Sequence, residues 1–302
     1  MSGNIHDSLF KGLFSLRENL QDLIRGTLPG EVLDKVDLYT LEYDPNEYVD
    51  REMDSYFRDI CCNVRYGEQQ IKISLLYEHK SHPVKHVHLQ LLRYILNVWE
   101  SQSDNGKELT PVICIVFYHG KQKWKHADLL KNLSGELRRY VPMFEYVLFD
   151  TKDIGDQAIM GHFRAPGVRI GVWFLKRNVE LIRFIRENPI FAREMLEDLS
   201  QIEQTTIERL VLYLYNVSGE TPDEIHEVMK TASPESKDII DVFRARYVQE
   251  GIEQGIEQGI EQGIEQGLVK TARNMIEKGY SDEQISEVTS LTVKRIQSLR
   301  DS

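Results

Sequence analysis

The sequence has few cysteines and no long apolar run. These two features argue against a disulfide-rich protein and against a membrane-spanning one. Cys61 lies next to Cys62, and Cys114 is the third and last cysteine among 302 residues, so we expect no disulfide framework. No stretch approaches the roughly 20 apolar residues of a membrane span. The first residues also lack the basic flank and apolar stretch of a signal peptide. We therefore expect a cytoplasmic protein that does not enter a membrane.

An excess of positive charge is also missing. The chain carries 37 basic and 48 acidic residues, for a net charge of −11, with a hydrophobic share of 41% that is typical of a globular protein. This balance argues against an extended surface that coats nucleic acid nonspecifically. It does not exclude a nuclease, because a metal site needs carboxylates and a local group of lysines can still guide a phosphate backbone.

The first 150 residues predict an α/β fold in which helices pack over a mixed sheet. Leucines at spacings of three and four predict a single amphipathic helix over 8–28, capped by Asp7. The stretch 36–50 is a connector or a short edge strand. The remaining predicted elements are a hairpin of 57–66 and 69–80, a helix over 84–100, a central strand over 111–118 and a strand over 144–149.

Helical periodicity dominates beyond residue 178. The segment 251–267 repeats Gly-Ile-Glu-Gln four times and ends at Gly267. Five glycines, each costing about 0.8–1 kcal/mol relative to Ala in a helix, favour a flexible spacer over a packed or oligomerising helix. Residues 268–302 predict a small trihelical, helix-turn-helix-like unit, which contacts either protein or, through Lys294, Arg295 and Arg300, DNA. The predicted domains are 1–165, 166–248, 249–267 and 268–302.

The hairpin carries the chemically most informative residues, Asp59 and the triplet Glu78-His79-Lys80. If Gly67-Glu68 is a two-residue turn, Asp59 lies opposite Leu76, and alternation puts Asp59, Glu78 and Lys80 on one face. Two carboxylates roughly 7–8 Å apart suit Mg²⁺ or Mn²⁺. Lys80 can orient an attacking water or stabilise negative charge. The two carboxylates, a bound metal ion and Lys80 together would be enough to cut a phosphodiester bond.

Two alternatives stay open for Asp59, Glu78 and Lys80. A three-residue loop would reverse the alternation and separate the side chains. The same residues can also form a cross-strand salt bridge at the wet end of a hairpin. Zinc is not expected, because the cysteines and histidines lack ligand spacing.

Basic residues near the hairpin are candidates for DNA contact. Lys85 and Arg93 lie on the helix that follows the triplet, where they can reach phosphates or stay solvated. Lys121, Lys123 and Lys125 surround Trp124 in a basic and aromatic cluster suited to phosphate contact and base stacking. Alternatively, Trp124 belongs to the core and the lysines solubilise the turn. Four nearby histidines, which we interpret as hydrogen-bonded or solvated rather than as ligands, are His82, His86, His88 and His119.

Taken in order, these pieces resemble the recombination-promoting nuclease (transposase-like) family of the PD-(D/E)xK nuclease superfamily. The resemblance covers most of residues 5–150. The matching elements are His6-Asp7 with Phe10-Lys11, Leu28-Pro29, Asp59, Glu78-His79-Lys80-Ser81, Leu92-Arg93-Tyr94, and Pro111 to Gly120 with Trp124.

The resemblance implies a restriction-endonuclease-like core at 1–165 and Mg²⁺-dependent cleavage of DNA in recombination or mobile elements. Asp59 and Glu78 would be the metal ligands and Lys80 the catalytic base or water-orienting group. The family's usual Gln after Glu-His is Lys80 here, which restores the full Asp…Glu-x-Lys pattern. Gln90 and Tyr94 fit a Gln-x-x-x-Tyr pattern of related nucleases. The alternatives are an inactive DNA- or protein-binding module and an RNA-directed nuclease, and the helical C-terminal region is a candidate for homo-oligomer contacts.

Overall fold

A computed structural model of the chain describes residues 5–44, 60–78, 87–124, 135–142 and 144–300. Its strands are β1 Val36–Tyr43, β2 Ile60–Tyr66, β3 Gln69–Glu78, β4 Val112–Tyr118 and β5 Val147–Asp150. The helices that accompany the sheet are α1 Ile5–Phe14, α2 Arg17–Thr27, α3 Gly30–Leu33 and α4 Val87–Asp104. Those that follow it are α5 Asp156–His162, α6 Pro166–Arg177, α7 Leu181–Glu187, α8 Pro189–Leu196, α9 Gln204–Val217, α10 Pro222–Ala232, α11 Lys237–Glu277, α12 Asp282–Thr289 and α13 Val293–Arg300.

The described strands form one mixed sheet in the order β1-β2-β3-β4-β5. β1, β2 and β3 pair antiparallel, whereas β3, β4 and β5 pair parallel. The predicted α/β class is therefore confirmed, with β4 inside the sheet and β1 at its edge. The hairpin register is also the predicted one, because Tyr66 pairs with Gln69 across a Gly67-Glu68 turn in which Gly67 has φ +57°.

Helices cover both faces of the sheet because β4 is apolar on both. Cys114, Val116 and Tyr118 pack in one cluster with the buried side of α4. Phe117 points the other way, where its ring lies 5.2 Å from that of Phe10 on α1. A strand buried on both faces shows no polar alternation, which is why the sequence of β4 is continuously apolar.

The single helix predicted over 8–28 is wrong, since the chain breaks between α1 and α2. Leu16 is extended at φ −81°, ψ 122°, and the Asn19 side chain donates to the Leu13 carbonyl at 2.9 Å. The predicted cap is also wrong. Asp7 lies inside α1 and pairs with Lys11 at 2.9 Å, one helical turn away.

Helix α5 lies where no element is predicted, and α6 occupies the start of the predicted helical region 166–248, where no single helix is assigned before residue 178. The Asp22 carboxylate accepts the backbone N–H groups of Arg164 and Ala165, both at 2.7 Å, immediately before α6. Gly171 on α6 packs so closely on Leu13 that an added Cβ would lie 2.5 Å from a methyl carbon. Helix α6 is thus fixed directly to the α1–α2 layer.

The chain divides into two compact units, Met1–Ile240 and Asp241–Ser302. Helix α11 runs through the Gly-Ile-Glu-Gln repeat, so the repeat backbone is helical where the sequence favoured a flexible segment. The end of α11, α12 and α13 surround a small core of Ala272, Ile285 and Ile296. The predicted domain boundaries and the spacer role stay predictions. Over the described ranges, no helix combines the length and apolarity needed to cross a membrane.

Candidate functional site

The carboxyl ends of β3, β4 and β5 meet at one edge of the sheet. Glu78 is the last residue of β3 and pairs in register with Tyr118, which in turn pairs with Asp150. Neighbouring strands lie about 4.8 Å apart, so the backbones of Glu78 and Asp150 are about 10 Å apart. The sequence predicts the metal site at this edge, where β3 ends at Glu78.

The structure places some of the predicted site residues and leaves others outside its described ranges. Glu78 lies at the carboxyl edge of the sheet. The described pairing of β2 with β3 ends at Ile60 and Leu75, three residues before Glu78. Asp59 and Lys80 fall outside the described residues, as do Lys85 and Lys125. The shared site of Asp59, Glu78 and Lys80 therefore stays a prediction, while the hairpin register that it requires is present up to residue 60.

Helix α4 covers the face of the hairpin to which Cys61 belongs. The Cys61 thiol contacts the Tyr94 hydroxyl. One turn earlier on α4, the Gln90 side-chain oxygen is buried and has no hydrogen-bond partner among the described residues. Both members of the predicted Gln-x-x-x-Tyr pattern thus lie on the helix that covers this face.

A buried ion pair that the sequence analysis did not identify lies on the same part of the sheet. The Lys72 ammonium contacts the Asp44 carboxylate, and both side chains are almost fully buried. Burial lowers the pKa of Lys72 to about 8, while the adjacent carboxylate favours its charged form. The sequence signal was Lys72 between Ile71 and Ile73, because a charge in an apolar strand needs a partner.

Trp124 belongs to the core, which confirms the core alternative for this residue over base stacking. Its ring packs against Tyr118 at 4.8 Å, and its indole N–H donates to the Tyr146 hydroxyl at 2.9 Å. The flanking Lys121 and Lys123 are exposed at the carboxyl edge, and Arg93 is exposed on α4. Their contacts with DNA stay predictions.

Two histidines and a tyrosine from distant segments meet beyond the end of β4. His119 is buried and its Nδ1 donates to the Leu175 carbonyl at 3.1 Å, which agrees with its interpretation as a hydrogen-bonded histidine. The His6 ring lies 5.2 Å from it, with His6 Nδ1 2.8 Å from the Tyr213 hydroxyl. Burial raises the pKa of Tyr213, so its hydroxyl stays protonated and shares a hydrogen bond with His6. Within the described ranges, no three His, Cys, Asp or Glu side chains converge as a metal-binding group.

Comparison with known proteins gives the family. The family model described as "Putative transposase, YhgA-like" matches residues 4–209, which is more than half of the chain. The chain belongs to this YhgA-like family. No solved structure matches it.

Curated relatives of this YhgA-like chain carry nuclease names. The inactive recombination-promoting nuclease-like protein RpnE of Escherichia coli K12 is 26% identical over 292 residues, which cover 95% of this chain and 94% of RpnE. The recombination-promoting nuclease RpnD of E. coli O157:H7 is 26% identical over 53% of this chain and 63% of its own. RpnA of E. coli K12, also a recombination-promoting nuclease, is 25% identical over 54% of this chain and 57% of its own. The match thus spans less than two thirds of RpnD and RpnA.

Proposed function

We propose that this chain is a Mg²⁺-dependent DNA endonuclease of the PD-(D/E)xK type that acts in recombination or on mobile elements. Its catalytic residues would be Asp59, Glu78 and Lys80. The observation that carries the proposal is the hairpin register, which the two-residue turn at Gly67-Glu68 fixes. The names of the relatives RpnD and RpnA support the reaction class.

The register matters because residues directly opposite each other in an antiparallel pair share a face. Cys61 pairs with Ser74, so alternation along β3 gives position 78 the same face as Cys61. Position 59 has the same parity as Cys61. The proposal therefore requires that the alternation of β2 extend back from Cys61 to Asp59 and that the alternation of β3 extend from Glu78 to Lys80.

The residues of this hairpin suit a hard divalent cation. Asp59 and Glu78 would hold Mg²⁺ or Mn²⁺, which prefer carboxylate and water oxygens. When bound, the ion would lower the pKa of a water ligand and stabilise charge on the phosphate. Lys80 would orient the attacking water or stabilise the developing negative charge. The buried Gln90 oxygen, which has no partner among the described residues, offers a further acceptor for an ordered water.

A second candidate function is an inactive DNA- or protein-binding module of the same fold. It is favoured by one observation, namely that the relative matching along nearly the whole chain, RpnE, is named inactive. The two candidates share the fold and differ only in whether the hairpin residues form a competent site.

Nicking of supercoiled plasmid in Mg²⁺, with EDTA as the metal-free reference, separates the candidates. We expect Asp59→Ala and Glu78→Ala each to lower the cleavage rate at least about 100-fold, as loss of a charge-stabilising group does. Glu68→Gln, an exposed turn residue of the same hairpin, is the matched control and should cut normally.

Unchanged cleavage in both alanine variants would exclude the site assignment. A folded wild-type chain that binds DNA without cutting it would favour the inactive module. Digestion of an RNA of the same sequence at a faster rate would make RNA the substrate.

A further inference from the structure

The loops after β4 and β5 leave the sheet beside the end of β3 and carry exposed lysines. We infer that Lys152, together with Lys121 and Lys123, forms a phosphate-contacting rim for DNA, and that buried Asp150 is the positioning residue that joins the two loops. We call these three lysines the basic rim. The inference rests on the proposed function, since it assigns the substrate contacts that flank the proposed cleavage site.

Asp150 connects the two loops through its carboxylate. One oxygen accepts the backbone N–H of Lys152 at 3.0 Å, and the other accepts that of Trp124 at 3.4 Å. Asp150 is only 4% exposed, and burying a carboxylate is unfavourable unless hydrogen bonds satisfy it. The two bonds therefore hold the loop of Lys123 and the loop of Lys152 at one place.

Both loops are also anchored from inside the protein. Trp124 is fixed by the Tyr118 ring and the Tyr146 hydroxyl. The Lys176 ammonium donates to the Thr151 carbonyl at 3.0 Å and to the Ile154 carbonyl. In addition, the Thr151 N–H donates to the Tyr118 carbonyl at 2.9 Å, which continues the β4–β5 pairing beyond the strands. The exposed ammonium groups thus project from a rigid base, which lowers the entropy cost of binding.

The charge of this edge contrasts with that of the whole chain. Lys121, Lys123 and Lys152 are exposed, and the acidic residue beside them in these loops is Asp153. Among the exposed charges of these described loop residues, three are positive and one is negative, and the Asp150 carboxylate is buried beneath them, on a chain whose net charge is −11. A local positive rim on an acidic protein steers a phosphate backbone to one place instead of coating the whole surface.

Binding of a fluorescent DNA duplex, measured without divalent metal over a range of salt concentrations, tests the rim. Each lysine that neutralises a phosphate contributes about 0.9 to the slope of log K against log salt. We expect Lys152→Ala to lower the slope by about one and Lys121→Ala/Lys123→Ala by about two, while Lys152→Arg retains the wild-type slope. Lys107→Ala, an exposed lysine before β4 and therefore at the opposite edge, is the matched control.

Asp150→Asn tests the positioning role. We expect it to weaken duplex binding and to speed tryptic cleavage after Lys121, Lys123 and Lys152, because the asparagine NH₂ group cannot accept a backbone N–H. If Lys152→Ala shows the same slope of log K against log salt as Lys107→Ala, the basic rim is overturned. Binding by the wild-type chain that does not depend on salt would overturn it as well. Asp150→Asn that binds as tightly as wild type, with unchanged tryptic cleavage, would overturn the positioning role. If the lysine variants bind as expected but the wild-type chain does not cut DNA, only the proposed catalysis is rejected and the basic rim stands.

Discussion

Buried carboxylates join distant segments of this chain, and Asp22 is one that accepts three hydrogen bonds. It accepts two backbone N–H groups before α6 and pairs with Arg25 at 2.9 Å. Asp22→Asn removes the charge and one acceptor, so we expect a loss of about 1.5–3 kcal/mol in the free energy of unfolding. Urea denaturation followed by circular dichroism measures it.

The control for this residue is Asp7, which is paired with Lys11 on a partly exposed side of α1. Asp7→Asn should cost no more than about 0.5 kcal/mol, as is usual for a helical pair one turn apart that water still reaches. Equal losses in the two variants would mean that the hydrogen bonds before α6 contribute nothing to stability.

Local residue chemistry explains which single positions could be predicted. The turn at Gly67-Glu68 could be predicted from the sequence, because a two-residue hairpin loop needs a positive φ, which glycine adopts without strain. The partner of Lys72 could not be predicted from the sequence, since Asp44 lies 28 residues away and only strand pairing brings the two together. Asp150 and Lys152 were missed for the same reason, because their loops meet only in the folded sheet.

At the scale of elements, the pair of Asp44 and Lys72 joins the end of β1 to β3 across the intervening β2. Removing one partner takes this ion pair away from a buried charge, so Asp44→Leu and Lys72→Met should each cost up to about 3–5 kcal/mol. Replacing both should cost much less, because an apolar pair of similar volume needs no desolvation of charge. A double-mutant cycle by urea denaturation measures this coupling.

The exposed pair of Asp37 on β1 and Arg65 on β2 supplies the comparison. Its coupling energy should lie near 0.2–1 kcal/mol, as expected for solvated ions. Additive losses for Asp44 and Lys72 would contradict the buried pair as a connection between the strands.

Elements with strong periodicity were predicted, and those without it were not. The helical spacing of leucines continues across Leu16, so the break between α1 and α2 left no signal in the pattern. Helix α6 is buried on nearly every side from Gly167 to Leu175, which removes the apolar and polar alternation that reveals a surface helix. Strand β4 was recognised because eight apolar or aromatic residues bounded by turn signals fit a buried strand.

At the scale of the whole molecule, the described residues of the two units form cores of different size. In the C-terminal unit, the described core cluster is Ala272, Ile285 and Ile296, with four partly buried apolar side chains around them. The Met1–Ile240 unit contains the sheet and the apolar layers that cover it. A small core contributes little stability, so we expect the C-terminal unit to open first.

Ile285→Ala tests this independence. Loss of a fully buried isoleucine costs about 2–5 kcal/mol, which is enough to open a unit with so few core residues. Hydrogen exchange followed by mass spectrometry should show lost protection in α12 and α13, with unchanged protection in β3 and β4. Val288→Ala, which removes a side chain that is 62% exposed, is the control and should leave both regions protected. Parallel loss of protection in β4 would mean that the two units unfold as one, and the C-terminal helices would then be part of the same cooperative structure as the sheet.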